Sequence, residues 1–234
     1  MATTIPRETP RATVRRERER AIVEAARALF DEGGMQEARV HRIARRVGIN
    51  KALVYRHFAS KEELFALTIT SYLDEIGDLL EAMDEEAGDP TERLCRGFDA
   101  VARYGIDHPA FLDCALSLLR RPAEELRAEL SDSILLRLGR ATGRCIGWLA
   151  AVLGELEVPE DEAELRANQL YLQAIGVLHL ARSGVAVRSL GPGPTVFPVG
   201  AERVRAACVQ LAVAGARPDH ANVEVTPAKR GTDG

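Results

Sequence analysis

Gly48 lies between two short segments of helical spacing in residues 39–61, RVHRIARRVGINKALVYRHFASK, and this arrangement leaves few folds open to the chain. Ala44 is small enough to let two helices cross closely, and Gly48 can adopt the positive φ that a three-residue turn needs. Val54, ten residues after Ala44, returns an apolar side chain to the core. The pattern predicts a helix-turn-helix. Asn50 is expected to cap its second helix.

Helical spacing of apolar residues continues through almost all of the 234 residues, and no convincing β-hairpin alternation interrupts it. We therefore predict an all-α fold, with an N-terminal three-helix helix-turn-helix head and a larger helical domain for ligand binding and dimerisation. Ser60 and Glu63 are expected to form a capping box that opens the fourth helix. The predicted helices span 14–32, 40–47, 51–58, 61–86, 90–108, a short segment after 109, 122–155 with an interruption near 139–143, 160–183 and 201–216. The predicted domains are 1–12, a basic flexible arm; 13–60, the head; 61–217, the regulatory and dimerisation domain; and 218–234, a disordered tail.

Charge is distributed unevenly along the chain. Residues 1–61 hold 14 Lys and Arg against 7 Asp and Glu, whereas the remainder holds 17 against 28. A basic end joined to an acidic one indicates that the basic end meets a polyanion. We find no apolar run long enough to span a membrane and no signal peptide, so we expect a cytoplasmic protein without a membrane partner. The cysteines, Cys95, Cys114, Cys145 and Cys208, show no CxxC spacing, and we expect neither a metal site nor a disulfide.

The outward side of the second helix of the helix-turn-helix has the chemistry of a DNA contact. Lys51 and Arg56 can donate hydrogen bonds to guanine or to phosphate, and either use is open. Ala52 and Leu53 offer apolar surface suited to a thymine methyl. Tyr55, His57, Arg42, Arg45, Arg46 and Lys61 are positioned for phosphate contacts.

Residues 21–72 resemble the N-terminal domain of the TetR (tetracycline-repressor-like) family. The resemblance lies in AARALFDEGG and in IARRVGINKALVYRHFASKEELF, where aromatic, small and charged positions fall in register over some forty residues. It implies that Tyr55, His57 and Lys61 contact phosphates, that Lys51, Ala52, Leu53 and Arg56 lie at base edges, and that His41 also reaches the DNA. It further implies a homodimer that binds a palindromic operator in double-stranded DNA and represses transcription in response to a small-molecule effector.

Two positions depart from the family pattern. Arg39 stands where Ser or Thr usually caps the second helix, and an arginine cannot cap in that way but can contact phosphate. Leu53 stands where Thr or Ser is common, which indicates apolar contact and an unusual operator preference. The arm with Arg7, Arg11, Arg15, Arg16 and Arg18 has two open interpretations, a disordered tail or a contact with the minor groove or phosphates.

The larger domain resembles the family only in its layout, in which the last two helices pair with their copies in a second subunit. The helix over 160–183 has two apolar faces and therefore needs two partners. The predicted dimer interface comprises Leu170, Ala174, Val177, Ala181, Val204, Ala207 and Leu211. The predicted ligand-lining residues are Phe98, Val101, Tyr104, Phe111, Cys114, Leu118, Trp148, Tyr171 and Gln173, for which an ordinary core is the open alternative.

Two other classes of function compete with the regulator. An enzyme lacks support because the five histidines show no HExxH spacing and no GxSxG, P-loop or GxGxxG motif is present. We therefore expect no catalytic residue and no cofactor. An architectural or adaptor protein, which uses the head to bind DNA or a partner without sensing a ligand, is favoured if the body is packed solid.

Overall fold

The computed structural model of the chain describes residues 10–34, 39–85, 88–188 and 195–216. These residues are almost entirely helical, which confirms the all-α class. The helices are α1 (Pro10–Gly33), α2 (Val40–Val47), α3 (Lys51–His57), α4 (Lys61–Ala82), α5 (Pro90–Asp107), α6 (Pro109–Leu119), α7 (Ala123–Glu129), α8 (Asp132–Glu155), α9 (Glu160–Ser183) and α10 (Ala201–Gly215), with a 3₁₀ turn at Met83–Glu85. We call α1–α3 the head and α4–α10 the body.

Local signals account for most of the helix ends. Asn50 Oδ1 accepts a hydrogen bond from the backbone N–H of Leu53 at 2.8 Å, and Asp89 caps α5 in the same way ahead of Pro90. Gly34 adopts φ +75° directly after α1. Helices α2 and α9 span the predicted residues, and α3 ends one residue earlier than predicted because Phe58 is extended and turns into the core.

Three predictions about the fold were wrong. The prediction of no hairpin misses two four-residue strands, β1 (Val185–Arg188) and β2 (Thr195–Pro198), which pair antiparallel. Each strand is too short for an alternating pattern to be recognised from the sequence. The long helix predicted over 122–155 breaks at Leu130–Ser131 and not near 139–143, because Leu130 is extended and places its side chain in the core.

The third error concerns the predicted arm over 1–12. Helix α1 begins at Pro10, a residue that favours the first turn of a helix, so the arm does not extend to residue 12. Arg11, Arg15, Arg16 and Arg18 therefore belong to α1, whereas Arg7 and the predicted tail over 218–234 lie outside the described residues.

One apolar core runs through head and body. Ile22 and Phe30 of α1, Ile43 of α2 and Val54 of α3 are almost fully buried and continue into the core of the body through Tyr72 of α4. Around this junction, Phe30 and Phe65 stack with ring centroids 4.9 Å apart. Helix α4 therefore belongs to both regions, since it begins beside α3 and packs along α8.

Candidate nucleic-acid interface

The turn between α2 and α3 has the geometry that the sequence predicts. Gly48 adopts φ +74°, and the backbone N–H of Ile49 donates to the carbonyl of Ala44 at 2.9 Å. Ala44 is 3% exposed where the two helices meet. A residue with a Cβ would be strained at Gly48, although the space around it is open. The turn therefore fixes α3 at a defined angle to α2.

Buried residues on one side of α3 determine which side chains face outward. Val54 and Phe58 are each 1% exposed. Lys51, Ala52, Tyr55 and Arg56 consequently lie on the opposite, exposed side, and Leu53 is half-buried at its edge. The Lys51 ammonium lies 5.6 Å from the centre of the Tyr55 ring. The exposed side thus combines two cations, a phenol and a small apolar surface.

Neighbouring helices extend this positive surface. Arg39, His41 and Arg45 are exposed at or along α2, and Lys61 is exposed at the first residue of α4, with its ammonium 5.0 Å from the centre of the Phe65 ring. Arg39 occupies the N-cap position of α2 without a side-chain capping bond, as its chemistry requires. We call Arg39, His41, Arg45, Lys51, Tyr55, Arg56 and Lys61 the basic face.

Three of the residues proposed for DNA contact are less available than the others. Arg46 forms an ion pair with Glu32 at 2.7 Å, and Arg42 is half-buried and has a partner. His57 is half-buried, and its Nδ1 has no hydrogen-bond partner among the described residues. Burial, reinforced by Arg15, lowers the pKa of His57, so its ring is neutral at pH 7. A neutral His57 can still donate one hydrogen bond to a phosphate.

Glu63 joins the end of the recognition segment to the body. Ser60 Oγ accepts from the Glu63 N–H at 3.0 Å, as predicted, but the carboxylate does not return to Ser60. It accepts instead from the backbone N–H of Ala59 at 2.8 Å and from that of Ser131, the residue just before α8, at 3.2 Å. Although burial opposes the charge, these hydrogen bonds lower the pKa of Glu63. The Ser131 contact spans 68 residues, and no local pattern predicts it.

A second polar cluster fixes α1 to the body. Arg27 of α1 forms a bidentate ion pair with Glu75 of α4, and its Nη2 donates to Tyr104 of α5 at 2.9 Å. The hydrogen bond from Arg27 lowers the pKa of Glu75, so the pair stays charged. Tyr72 of α4 donates to Asp31 of α1 at 3.0 Å. The orientation of the head is therefore fixed by specific contacts as well as by the apolar core.

The body encloses an apolar cavity of about 40 Å³ between α4, α5, α6, α8, α9 and α10. Of the predicted lining residues, Phe98, Val101, Phe111 and Tyr171 line it. Sequence reasoning missed the other lining residues, because nothing in their spacing separates a cavity wall from a packed core. These are Ile76, Leu80, Ala102, Cys145, Leu149, Ala174, Ile175, Leu178 and Cys208.

The remaining predicted ligand residues lie elsewhere. Tyr104 is part of the Arg27 cluster, and the Trp148 indole donates to Asp84 at 2.9 Å. Cys114 and Leu118 line a separate groove near the start of α4, and Gln173 is exposed on α9. Apolar spacing favours all five positions for a cavity wall, but none of them lines the cavity in the folded chain.

The predicted dimer residues divide in a similar way. Leu170, Ala174 and Val204 are at most 7% exposed because α10 packs on α9 and α5 within the protomer. Gly215 makes room for Leu170, since a Cβ there would lie 2.4 Å from a Leu170 methyl. These three residues are consequently not on a surface that a partner can reach. Val177, Ala181, Ala207 and Leu211 are half-buried.

An exposed apolar stripe on α9 was not among the predicted residues. Leu165, Leu172 and Leu180 are 64%, 49% and 37% exposed, and they follow one side of the helix with Gly176 between them. Their spacing could have identified the stripe, but the sequence alone did not show which apolar face of α9 turns outward. We call these four residues the α9 stripe.

The described residues offer neither a metal site nor a membrane-spanning helix. Within those residues, no group of three or more His, Cys, Asp or Glu side chains is arranged to hold a metal ion. No helix in the same residues is both long enough and apolar enough to cross a bilayer. All four cysteines are free thiols.

Comparison with known proteins gives a family for the N-terminal region. Residues 22–67 match the family model described as bacterial regulatory proteins, tetR family. An HTH-type transcriptional regulator of Staphylococcus aureus (strain MRSA252) is 31% identical over 99 residues, which cover 42% of this chain and 54% of that protein. The chain thus spans about half the length of the curated relatives it matches. The family and these relatives are regulators, not enzymes.

Two solved structures share the fold over most of the chain. The structure of BioQ with its natural double-stranded DNA operator has a TM-score of 0.57 at 15% identity, and the match covers 85% of this chain and 96% of BioQ. The structure of RolR in complex with resorcinol has a TM-score of 0.59 at 15% identity, and the match covers 88% of this chain and 94% of RolR. At these identities the likeness is one of fold.

Proposed function

We propose that the chain, whose residues 22–67 match the tetR family of bacterial regulatory proteins, is a ligand-responsive transcriptional repressor. It binds a palindromic operator in duplex DNA as a homodimer and acts in the cytoplasm. The head contacts the DNA, and the body holds the dimer interface and the effector cavity.

The outward side of α3 is the observation that supports DNA binding most strongly. Buried Val54 and Phe58 fix the rotation of the helix, and the Gly48 turn fixes its direction. Lys51, Ala52 and Leu53 occupy its first turn, the part of a recognition helix that reaches base edges in the major groove. Arg56, further along the same exposed side, also reaches a base edge. The other residues of the basic face supply phosphate contacts on both sides of the helix. BioQ, a protein of the same fold, is solved on its operator.

The α9 stripe supports the homodimer. Three leucines, each more than a third exposed, are unusual on a helix that already buries its other side within the protomer. Gly176 at the middle of the stripe leaves open space beside the helix and permits close approach of a partner helix. We propose the α9 stripe, with half-buried Val177, Ala181, Ala207 and Leu211 at its margins, as the two-fold interface. Two-fold symmetry places one α3 in each half of a palindrome.

The cavity supports the response to a ligand and disfavours an adaptor with a solid body. Helix α4 contributes Ile76 and Leu80 to the cavity wall, and its first turn is held to the end of α3 through Glu63. A ligand that binds better to a conformer with displaced α4 would shift the population of head orientations and weaken operator binding. RolR, of the same fold, is solved with a small molecule, resorcinol.

Matched variants test the DNA contact directly. We measure fluorescence anisotropy of a duplex enriched from a random pool, and of a scrambled duplex, with wild type, Arg56→Ala and Arg103→Ala. Arg103 is an exposed arginine of the body. We expect Arg56→Ala to lower affinity for the enriched duplex by about 5- to 150-fold, the range of one bidentate base contact, and Arg103→Ala to leave it unchanged. Equal losses for both variants would contradict the proposal.

A reporter gene tests the sign of regulation. With the enriched duplex placed at its promoter, expression of the chain should lower reporter output, and Arg56→Ala should restore it. Output that rises with the chain would contradict repression while leaving DNA binding intact.

A further inference from the structure

The cavity in the body has a wall that selects among small molecules by charge. Its lining consists of aliphatic and aromatic side chains, two thiols and one phenol, and it includes no Asp, Glu, Lys, Arg or His. A charged ligand inside it would lose its hydration without gaining a counter-ion, at a cost that normally prevents binding.

Two arginines on the lining helices lie outside the cavity and are paired with carboxylates. Arg144 of α8 binds Asp78 and Glu81 of α4, with both distances at 2.7 Å. Arg205 of α10 binds Asp99 of α5 at 2.8 Å. Both pairs are partly exposed on the outside of the bundle, so neither arginine offers a counter-ion to a ligand inside the cavity.

Polar groups at the wall are few and neutral. Burial raises the pKa of Cys145 to about 12 and that of Cys208 to about 11, so both remain thiols at pH 7. The Cys145 thiol already donates to the Leu73 carbonyl at 3.6 Å. Burial likewise raises the pKa of Tyr171, which keeps its phenol protonated. The wall thus offers one hydroxyl and weakly polar sulfur, enough for a single ordinary hydrogen bond.

The size of the cavity limits the ligand and links binding to movement. An engineered apolar cavity of about 150 Å³ holds benzene, whereas this one measures about 40 Å³. A ring or a short branched alkyl group can therefore enter only if side chains such as Leu80 and Leu178 move outward. Leu80 lies on α4, the helix that begins beside α3. Even the smallest ligand that fits would therefore displace part of the helix that connects the body to the head.

We infer that the effector of this chain is an uncharged, mainly apolar molecule of about one ring in size, with at most one hydrogen-bonding group. The inference rests on the proposed ligand response. Carboxylates, phosphates and amines of the same size are excluded from the cavity.

Four probes of nearly equal size test this selectivity on the full-length protein without DNA. Toluene is apolar, p-cresol adds one hydroxyl, benzoate is an anion and benzylamine is a cation at pH 7. We measure the thermal midpoint at matched free concentrations. At ten times Kd, we expect toluene and p-cresol to raise Tm by about 3–6 °C and the two ions to leave it unchanged.

Variants of the wall locate the binding. Ala102→Leu and the milder Ala174→Val fill the cavity and should abolish the shift, whereas Ile175→Val enlarges it and should increase the shift. All three residues line the cavity. Ala128→Leu, at an exposed position on α7, is the matched control and should behave as wild type.

Three outcomes would overturn the inference: a shift with benzoate or benzylamine as large as that with toluene, no shift with any probe, or a toluene shift that survives both filling variants. Because the measurement omits DNA, each of these outcomes leaves operator binding to be judged separately. Loss of operator binding in the anisotropy experiment, conversely, leaves the cavity result standing.

Discussion

In the head, the short helices α2 and α3 are oriented by a glycine turn and by the Asn50 cap, whereas the long helices of the body depend mainly on the apolar core that both regions share. The two regions also differ in whether their positive charges are paired. Lys51, Arg56 and Arg45 of the head are exposed, and their surface faces solvent. Arg144 and Arg205 of the body are paired with carboxylates on neighbouring helices.

This difference indicates how the two regions divide the work. Lys51, Arg56 and Arg45 have no carboxylate partner within the part of the chain that the structure describes. They are therefore available for phosphates and base edges, and a rigid turn holds α3 at a fixed angle. In the proposed function, the apolar surfaces of the body, namely the cavity and the α9 stripe, bind the ligand and the partner subunit. Helix α4 connects the two, so a change in the body can reach the head.

The largest effect is expected from the α9 stripe. Leu172→Glu places a charge at the centre of the proposed interface, and the chain should elute as a monomer in size-exclusion chromatography. Loss of the second head should weaken operator binding by about 100-fold or more, because the two half-sites no longer bind as one unit.

Leu136→Glu is the matched control for that variant. Leu136 lies on α8 and is 54% exposed, close to the 49% of Leu172. It should leave both oligomeric state and affinity unchanged. If the Leu172→Glu protein remained a dimer, the α9 stripe would not be the interface, and the proposal would be contradicted.

A smaller effect is expected within the basic face, and it separates base contacts from backbone contacts. Lys51→Ala should reduce preference for the enriched duplex by about 1–3 kcal/mol and change binding to scrambled DNA little. Tyr55→Ala should weaken binding to both duplexes, since a phosphate contact does not depend on sequence. Competition titrations at one salt concentration measure both ratios. Equal losses on both duplexes for Lys51→Ala would show that this residue, too, contacts only the backbone.

The connection between the regions should respond to Glu63. In Glu63→Gln, one carboxylate oxygen becomes an NH2 group, which cannot accept a hydrogen bond from a backbone N–H. One of the two hydrogen bonds is therefore lost, and we expect the free energy of unfolding to fall by about 1–3 kcal/mol. Glu62→Gln, on the adjacent half-buried residue, should have a much smaller effect. Urea titrations at pH 7 measure both values, and equal effects would show that the bridge to Ser131 is unimportant.

The same residue predicts a pH dependence. The pKa of Glu63 is lowered in the folded state, so its contribution is present above the pKa of an unfolded glutamate and is lost as the pH falls through the folded value. The difference in stability between wild type and Glu63→Gln should therefore shrink on acidification below about pH 4. A difference that stays constant down to pH 3 would contradict a charged Glu63.

The smallest effects should come from two glycines with opposite outcomes. Gly48→Ala forces a Cβ into φ +74° and should destabilise the protein by about 1–2 kcal/mol. Gly143→Ala, inside α8 with open space around it, should stabilise by about 0.5–1 kcal/mol. Thermal unfolding measures both. A Gly48→Ala protein at least as stable as wild type would show that the turn does not depend on the left-handed conformation of Gly48.

Features of the head were predictable because their causes are local. Gly48 and the caps at Asn50 and Ser60 act within four residues of themselves, so the sequence contains the whole interaction. The inward pair Val54 and Phe58 follows from helical spacing and fixes the exposed residues by exclusion.

Features of the body were less predictable because their partners are distant in the chain. Tyr104 and Trp148 were expected at the cavity, but Glu75 and Asp84 hold their polar atoms elsewhere. Leu170 was expected at the dimer interface, but α10 covers it within the protomer. Apolar periodicity shows that a face is buried without showing which helix buries it.

Selection of duplexes from a random pool by the full-length protein tests the central claim most directly. If α3 reads the major groove from a symmetric pair of chains, the enriched sequences should contain an inverted repeat whose half-sites are centred about 10 base pairs, or a multiple of that, apart. Enrichment of a single asymmetric site, or no enrichment at moderate salt, would contradict it.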